Sequence, residues 1–398
     1  MMPAESRLRI IVTGLVGLHP VGGVAWDYLQ YVIGLSRLGH EVYYHEDTGS
    51  WPYDPVKESP TDDPSYANNY INNFLSNYAP ELINHWHYYH LCESSNGMSK
   101  QAFDQIAKTA DIFLNVSGAS IIPDNLADSC VKVFLDTDPG YNQIVLSEMF
   151  GWSDKVGSWY ESVMSHDRFF SYGENINQAD CIIPRLGLDW EVTRMPIVPD
   201  LWQPVANAAS RQAEAWSTVM TWNNFKGRVF YQGKEYFSKG KEFEMLLDLP
   251  GQIEEPVKVA IGGKGAPRDV LRAKGWQELD GVKETLLPAD YQKFIYASRG
   301  EISTAKHIYV ATRSGWFSCR SACYLAAGKP VVAQDTGYSK FIPSGLGLFA
   351  FSDLQEAIDG IESVAADYDK HRLGAVEIAR EYFGYDHVLK KLLSDLGY

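Results

Sequence analysis

No apolar run in the 398 residues approaches the roughly 18 that a membrane-crossing helix needs. The N-terminus lacks the charged-then-apolar layout of a secretory signal. Neither a membrane span nor secretion is expected, and the cytoplasm is the expected location. Cysteine is scarce and scattered: Cys92, Cys130, Cys181, Cys319 and Cys323 fit neither a zinc site nor a disulfide framework. Positive charge is in deficit, with 35 Lys and Arg against 50 Asp and Glu, a formal net charge of −15. Such a surface repels a phosphate backbone and counts against nucleic acid as a partner, a modified base remaining open. There is no internal repeat and no low-complexity tract. Neither G-x-G-x-x-G nor a Walker A sequence is present, so dinucleotide and P-loop readings lose support.

What remains is a globular composition, 45% hydrophobic and 21% charged, long enough for two domains. Aromatic residues reach 13%, with 24 tyrosines and 11 tryptophans. Both large cores and sugar-stacking surfaces use such side chains.

The chain opens on a buried-strand signature, Leu8 to Thr13 (LRIIVT), followed by the loop GLVGLHPVGG. From Ala25 apolar residues recur at helical spacing to Leu38, and Gly39 is placed to stop the helix. A second strand, Glu41 to Tyr44, completes a βαβ start. Residues 49–100 read as a polar excursion with helices over the sheet, where acceptor contacts would lie. Strands resume at Ile112 to Val116, Val131 to Leu135 and Phe169 to Tyr172. The Pro-rich stretch 181–210 reads as a linker. Beyond it, Thr218–Trp222, Val257–Gly262, Ile308–Ala311 and Pro330–Ala333 read as strands. Helices are expected over Ala266–Ala273, Tyr291–Ala297, Cys319–Ala327 and much of 367–396. The expected fold is α/β, two doubly wound Rossmann-like domains facing across a cleft. The expected boundaries are 1–200 and 201–375, with a C-terminal helix in 376–398 returning to the first domain.

Two stretches carry chemistry at strand ends. In the first, Gly22 and Gly23 open a helix that ends in Gly39-His40-Glu41-Val42, letting backbone approach an anion at a helix N-terminus. In the second, Arg313-Ser314-Gly315-Trp316-Phe317-Ser318-Cys319-Arg320-Ser321 is read as a strand end, a Gly/Ser loop and a helix start. Ser318 is placed to cap that helix, and Arg313 and Arg320 match phosphate geometry. Ala326-Ala327-Gly328-Lys329-Pro330-Val331-Val332 and Gln334-Asp335-Thr336-Gly337 follow.

The glycine pair with its terminal Gly-His-Glu-Val resembles the opening of retaining GT-B-fold glycosyltransferases, and the Gly-Lys-Pro-Val-Val stretch resembles their donor site. With Ser298–Ser303 (SRGEIS) and Leu135–Gly140 (LDTDPG) it is similar to bacterial, spore-maturation-type transferases. The resemblance implies GT-B architecture and a hexosyl- or pentosyltransferase acting on a nucleoside diphosphate sugar and a hydroxyl acceptor. It implies no metal or other cofactor. Gly22, Gly23, Lys239, Arg313, Ser314 and Gly315 would serve the donor diphosphate, together with Ser318, Arg320, Ser321, Asp335, Thr336 and Gly337. One departure stands out. The family's two donor-site glutamates, eight residues apart, are replaced by Gly315 and Cys323, which cannot accept sugar hydroxyls as a carboxylate does.

Asp136-Thr137-Asp138 offers two carboxylates at a strand end, as a general base, a metal site or a capped turn. His19 in the glycine loop is a further candidate base. Lys234, Lys239 and Lys241 follow the first strand of the second domain, where the resembling family often places a basic residue on the diphosphate, and a solvated charged face is the commoner reading of all three. His85, His87 and His90 cannot all share one face of a strand or helix. Asn115-Val116-Ser117 has the form of a glycosylation acceptor but falls in a core strand. Two other functions remain: a nucleotide-sugar epimerase or hydrolase, and a non-catalytic binder.

Overall fold

β-Branched and aromatic runs pair into two sheets in the computed structural model, which describes residues 7–91, 94–148, 154–203, 215–225, 227–263 and 265–398. The first sheet comprises β1 (Arg9–Thr13), β2 (Glu41–Asp47), β3 (Trp86–His90), β4 (Ser94–Gly97), β5 (Ile112–Val116), β6 (Val131–Asp136), β7 (Arg168–Ser171) and β8 (Trp190–Val192), in the order β8-β7-β6-β5-β1-β2-β3-β4. All neighbours run parallel except β3 and β4. Ile10 lies opposite Val42 and Ile112, which fixes the central register. Ile10 and Val12 face one apolar cluster while Ile11 faces another, so helices cover both sides of the sheet.

The second sheet is wholly parallel. It comprises β9 (Trp216–Thr221), β10 (Val257–Gly262), β11 (Gln277–Asp280), β12 (Gly300–Ser303), β13 (Val331–Gln334) and β14 (Leu348–Phe351), in the order β11-β10-β9-β12-β13-β14. Three helices matter most. These are α1 (Gly22–Arg37), α2 (Cys319–Ala326) and α3 (Tyr385–Asp395). Helix α1 ends where Gly39 takes φ +97°, a left-handed conformation suited to glycine. Helix α3 packs on α1 so closely that a Cβ at Gly34 would meet Leu389 Cδ1 at 2.6 Å.

Several readings change. The 49–100 excursion holds the helix Ser65–Tyr78 but also contributes β3 and β4 to the sheet edge. The mixed polar and aromatic run WHYYH carries no clean alternation, because Trp86, His87, Tyr88 and His90 are all buried. His87 stacks on His45, their Nδ1 atoms 3.1 Å apart. Among the described residues no group of three or more His, Cys, Asp or Glu is placed to hold a metal ion. Ile308–Ala311 is helical, within His307–Ala311, and the sheet strand is β12 upstream. A short apolar run does not reveal its period. The 181–210 stretch supplies β8 before its end passes outside the described residues, as does Cys92. Strands β11 and β14 and the helix Leu354–Ala366 were not anticipated. Among the described residues no helix is long and apolar enough to cross a membrane.

Gln30, fully buried on α1, ties the first half to the chain that leaves it. Its Oε1 accepts from the Val198 N–H and Trp202 Nε1, each at 2.9 Å, and its Nε2 donates to the Trp26 carbonyl at 3.1 Å. Each buried donor stranded without an acceptor costs about 1–3 kcal/mol. Gln30→Leu is therefore expected to lower stability by about 2–4 kcal/mol, read as a depressed melting temperature. An unchanged melting temperature would remove Gln30 from this role.

Candidate functional site

The carboxyl ends of both sheets converge on one cleft of about 490 Å³. From the first half come Val21, Gly23, Val24 and Asp27 after β1, with Thr137 and Asp138 after β6. The second half contributes the ends of β9 and β10, then Lys239, Lys306, Tyr309, Ser318 and Arg320. The halves are joined close by. Trp26 Nε1 donates to the Pro288 carbonyl at 3.1 Å. A Cβ at Gly22 would lie 2.7 Å from the Leu287 carbonyl oxygen. Gly22 is thus required by packing, and it is Gly23 that lines the cleft.

Arg320 is held from three sides. It pairs with the buried Glu301, donates to the Val219 carbonyl at 2.7 Å and to Ser303 Oγ at 2.5 Å. Lys239 is different: it is only 9% exposed, and among the described residues no hydrogen bond or ion pair reaches it. Burial first, and the positive charge of Arg320 second, push its ammonium well below the ordinary lysine range. An anion entering the cleft would reverse that shift.

Across from these cations stands Asp27, the one charged residue of α1 before Arg37. It lines the cleft without a hydrogen-bond partner among the described residues. Burial lifts its carboxyl to about 7, against the opposing pull of Arg320. The sequence reading passed over Asp27; its signal was a lone carboxylate four residues after Gly23, on the same helical face.

The other predicted residues divide. Asp138 lines the cleft, but its carboxylate is engaged by Lys306 Nζ and the Tyr309 hydroxyl, each at 2.5 Å. Asp136 is turned into the fold. Its oxygens accept from the Asp138 N–H, Asn142, Gln143 and Ser171, and burial raises it to about 6. His19 is exposed on its loop and is not among the cleft-lining residues. Ser318 precedes α2, though its side chain makes no capping bond.

The Arg313 side chain leaves the cleft and pairs with Asp180 at 2.7 Å, beside Lys340. Ser314 accepts the Trp316 N–H, and Gly315, at φ +77°, lets Asn175 approach where a Cβ would stand 2.5 Å from its nitrogen. Asp335 caps the turn at Gly337 and Ser339, and Thr336 donates to the Trp316 carbonyl. Arg313, Ser314 and Gly315 build the joint between the halves, Asp335 and Thr336 bond within the second half, and none of the five is among the cleft lining. The loop before α2 also follows a helix rather than a strand, which is why the expected strand-end geometry fails there. A small chamber beside the cleft shares Trp316 and Ser318 with it. Thr304 Oγ1, Trp316 Nε1 and Ser321 Oγ line it as buried atoms without partners among the described residues.

No family model matches the chain, and no curated protein matches it. Solved structures do. An α-glucosyltransferase in complex with UDP and a 13-mer DNA containing a central A:G mismatch superposes with a TM-score of 0.61 at 13% identity, over 98% of this chain and 100% of that one. Anabaena Alr3699/HepE in complex with UDP-glucose gives 0.59 at 14%, over 98% and 100%. Sucrose-phosphate synthase from Thermosynechococcus elongatus gives 0.51 at 11%, over 98% and 99%. The chain has the GT-B fold that these glycosyltransferases share.

A cation buried without a partner destabilises the empty protein. Lys239→Met is expected to raise the melting temperature of the ligand-free protein by about 2–4 °C, read by scanning calorimetry. A lowered melting temperature would mean that the ammonium has an internal partner.

Proposed function

We propose that this protein transfers a glycosyl group from a nucleoside diphosphate sugar to an acceptor hydroxyl. The observation that carries this reading is Lys239, a buried ammonium that no hydrogen bond or ion pair reaches among the described residues, at a cleft where two sheet ends meet. Lys239 and Arg320 supply the positive field for a diphosphate, and Gly23 keeps the opposite wall free of side chain. The fold shared with UDP- and UDP-glucose-bound transferases supports the same donor class. The first half with the returning α3 forms the acceptor side, and the second half holds the nucleotide. The finer likeness to bacterial spore-maturation-type transferases rests on the SRGEIS and LDTDPG stretches.

In the reaction, the acceptor oxygen bonds to the anomeric carbon as the bond from that carbon to the diphosphate oxygen breaks. The electron pair leaves with the diphosphate, where fixed positive charge stabilises it. Asp27 takes the acceptor proton, its carboxyl poised near neutral pH. This replaces Asp138, which is tied to Lys306, in that role. No metal is required, because side-chain cations neutralise the leaving group and the oxygens of Asp136 and Asp138 already have donors. The acidic chain favours a small molecule or saccharide acceptor over a polyanion.

Nucleotide binding tests the donor half. One of UDP, GDP, dTDP, ADP or CMP is expected to raise the melting temperature, equally with and without EDTA. Loss of the shift in Lys239→Met would support the site. No shift with any nucleotide would overturn the donor assignment, and a shift abolished by EDTA would restore a metal to it.

Turnover tests the base. Asp27→Asn is expected to lower kcat by about 10²–10⁴-fold while leaving the nucleotide shift intact. In the native enzyme, kcat/KM should rise with pH until Asp27 is deprotonated near pH 7, and fall tenfold per unit below it. A rate flat between pH 5 and 8 would exclude Asp27. Donor consumption without an acceptor would instead mark a hydrolase.

A further inference from the structure

Beside the cleft lies a second hollow of about 500 Å³, built where β9 ends and a two-stranded hairpin, Val229–Tyr231 with Lys234–Tyr236, is inserted before Lys239. Aromatic side chains make its walls: Trp222, Phe225, Tyr236 and Phe237. Trp222 is wedged in place, since a Cβ on Gly240 would meet its ring at 2.6 Å, and Phe243 meets it edge-on at 6.1 Å. Phe225 is braced by Tyr141 of the first half at 4.9 Å. Phe237, in contrast, remains 39% exposed. An exposed phenylalanine beside a fixed tryptophan presents apolar ring faces to solvent with little left to order on binding.

Among the described residues the charges of this hollow cancel in pairs. Arg228 meets Glu235 through two bonds of 2.7 Å, and Lys241 meets Glu244 at 2.8 Å. The cleft next door has the opposite character, with the unpaired Lys239 and the nearby Arg320. A phosphate-bearing or sulfated ligand therefore belongs in the cleft, and the hollow suits an uncharged ligand with apolar faces and hydroxyl edges. Carbohydrate rings have that chemistry: C–H faces to lay on aromatic rings, and hydroxyls to reach polar groups at the rim. Ser238 lines both spaces and is held between them by the Asn224 side chain at 2.8 Å. A chain seated in the hollow thus lies one residue away from the donor cleft.

We propose that the hollow is a saccharide subsite that holds an uncharged oligosaccharide acceptor, on the second half of the molecule. Its assignment as an acceptor site rests on the glycosyl-transfer reading. The binding itself does not. The acceptor would then bridge both halves, against the expectation that acceptor contacts lie only in the first.

The test uses the full-length protein on an array of neutral and anionic oligosaccharides, followed by titration of the strongest neutral binder against Trp fluorescence. Neutral glycans are expected to be retained and anionic ones not. Phe237→Ala, an exposed position, is expected to weaken the titrated glycan at least tenfold while the nucleotide-induced thermal shift stays unchanged. Arg228→Met should weaken it as well, and serves if Phe237→Ala misfolds. Retention of anionic glycans alone, no retention, or undiminished binding by both variants would overturn the proposal. Glycan binding in a protein that no nucleotide stabilises would keep the subsite and overturn only the donor reading.

Discussion

Lys239 sits behind the end of β9 with Arg320, Lys306 and Glu301 as its charged neighbours; Glu301 is already bonded to Arg320, and Lys306 to Asp138. That arrangement leaves Lys239 as the cation of the group with no bonded acid among the described residues, inside a chain whose overall charge is −15. The arrangement is kept by structure: Arg320 is pinned by a carboxylate, a backbone carbonyl and a hydroxyl, so it cannot swing away from Lys239. The field is therefore oriented before a ligand arrives, which is the condition under which fixed charge helps a leaving group most.

The rest of the fold maintains that geometry. Close approaches between the halves occur at Gly22 against the Leu287 carbonyl and at Gly315 against Asn175, and in each case a side chain would collide. Trp26 meets Phe74 and Tyr78 edge-on and Trp202 at a tilt while its indole nitrogen reaches across to Pro288. Asp180, held well below the ordinary carboxyl range by Lys340 and Arg313, adds a polar clasp on the far side. Asp27 stands in the cleft that this closure forms, where burial raises its carboxyl against the pull of Arg320.

Much of the framework was legible because parallel strands buried on both faces read as unbroken apolar runs: Arg9–Thr13, Ile112–Val116 and Val331–Gln334 were located within a residue or so. Gly39 and the α2 span were equally readable, from the helical stop and from apolar spacing. Lys239 could be singled out by its place after the first strand of the second sheet. Arg313 and Ser314 could not be sorted by sequence, because their partners Asn175 and Asp180 lie more than a hundred residues away and nothing local announces the joint. Strand β3 was hidden by its histidines, which are polar by type yet buried and stacked on His45 and Phe103. Ile308–Ala311 shows the converse error, an apolar run whose burial serves a one-turn helix.

The central claim is that the cleft awaits an anion at Lys239, and calorimetric titration with the stabilising nucleoside diphosphate tests it most directly. The account predicts binding to the native protein and an affinity at least about tenfold weaker in Lys239→Met. Equal affinity of the two proteins would contradict it.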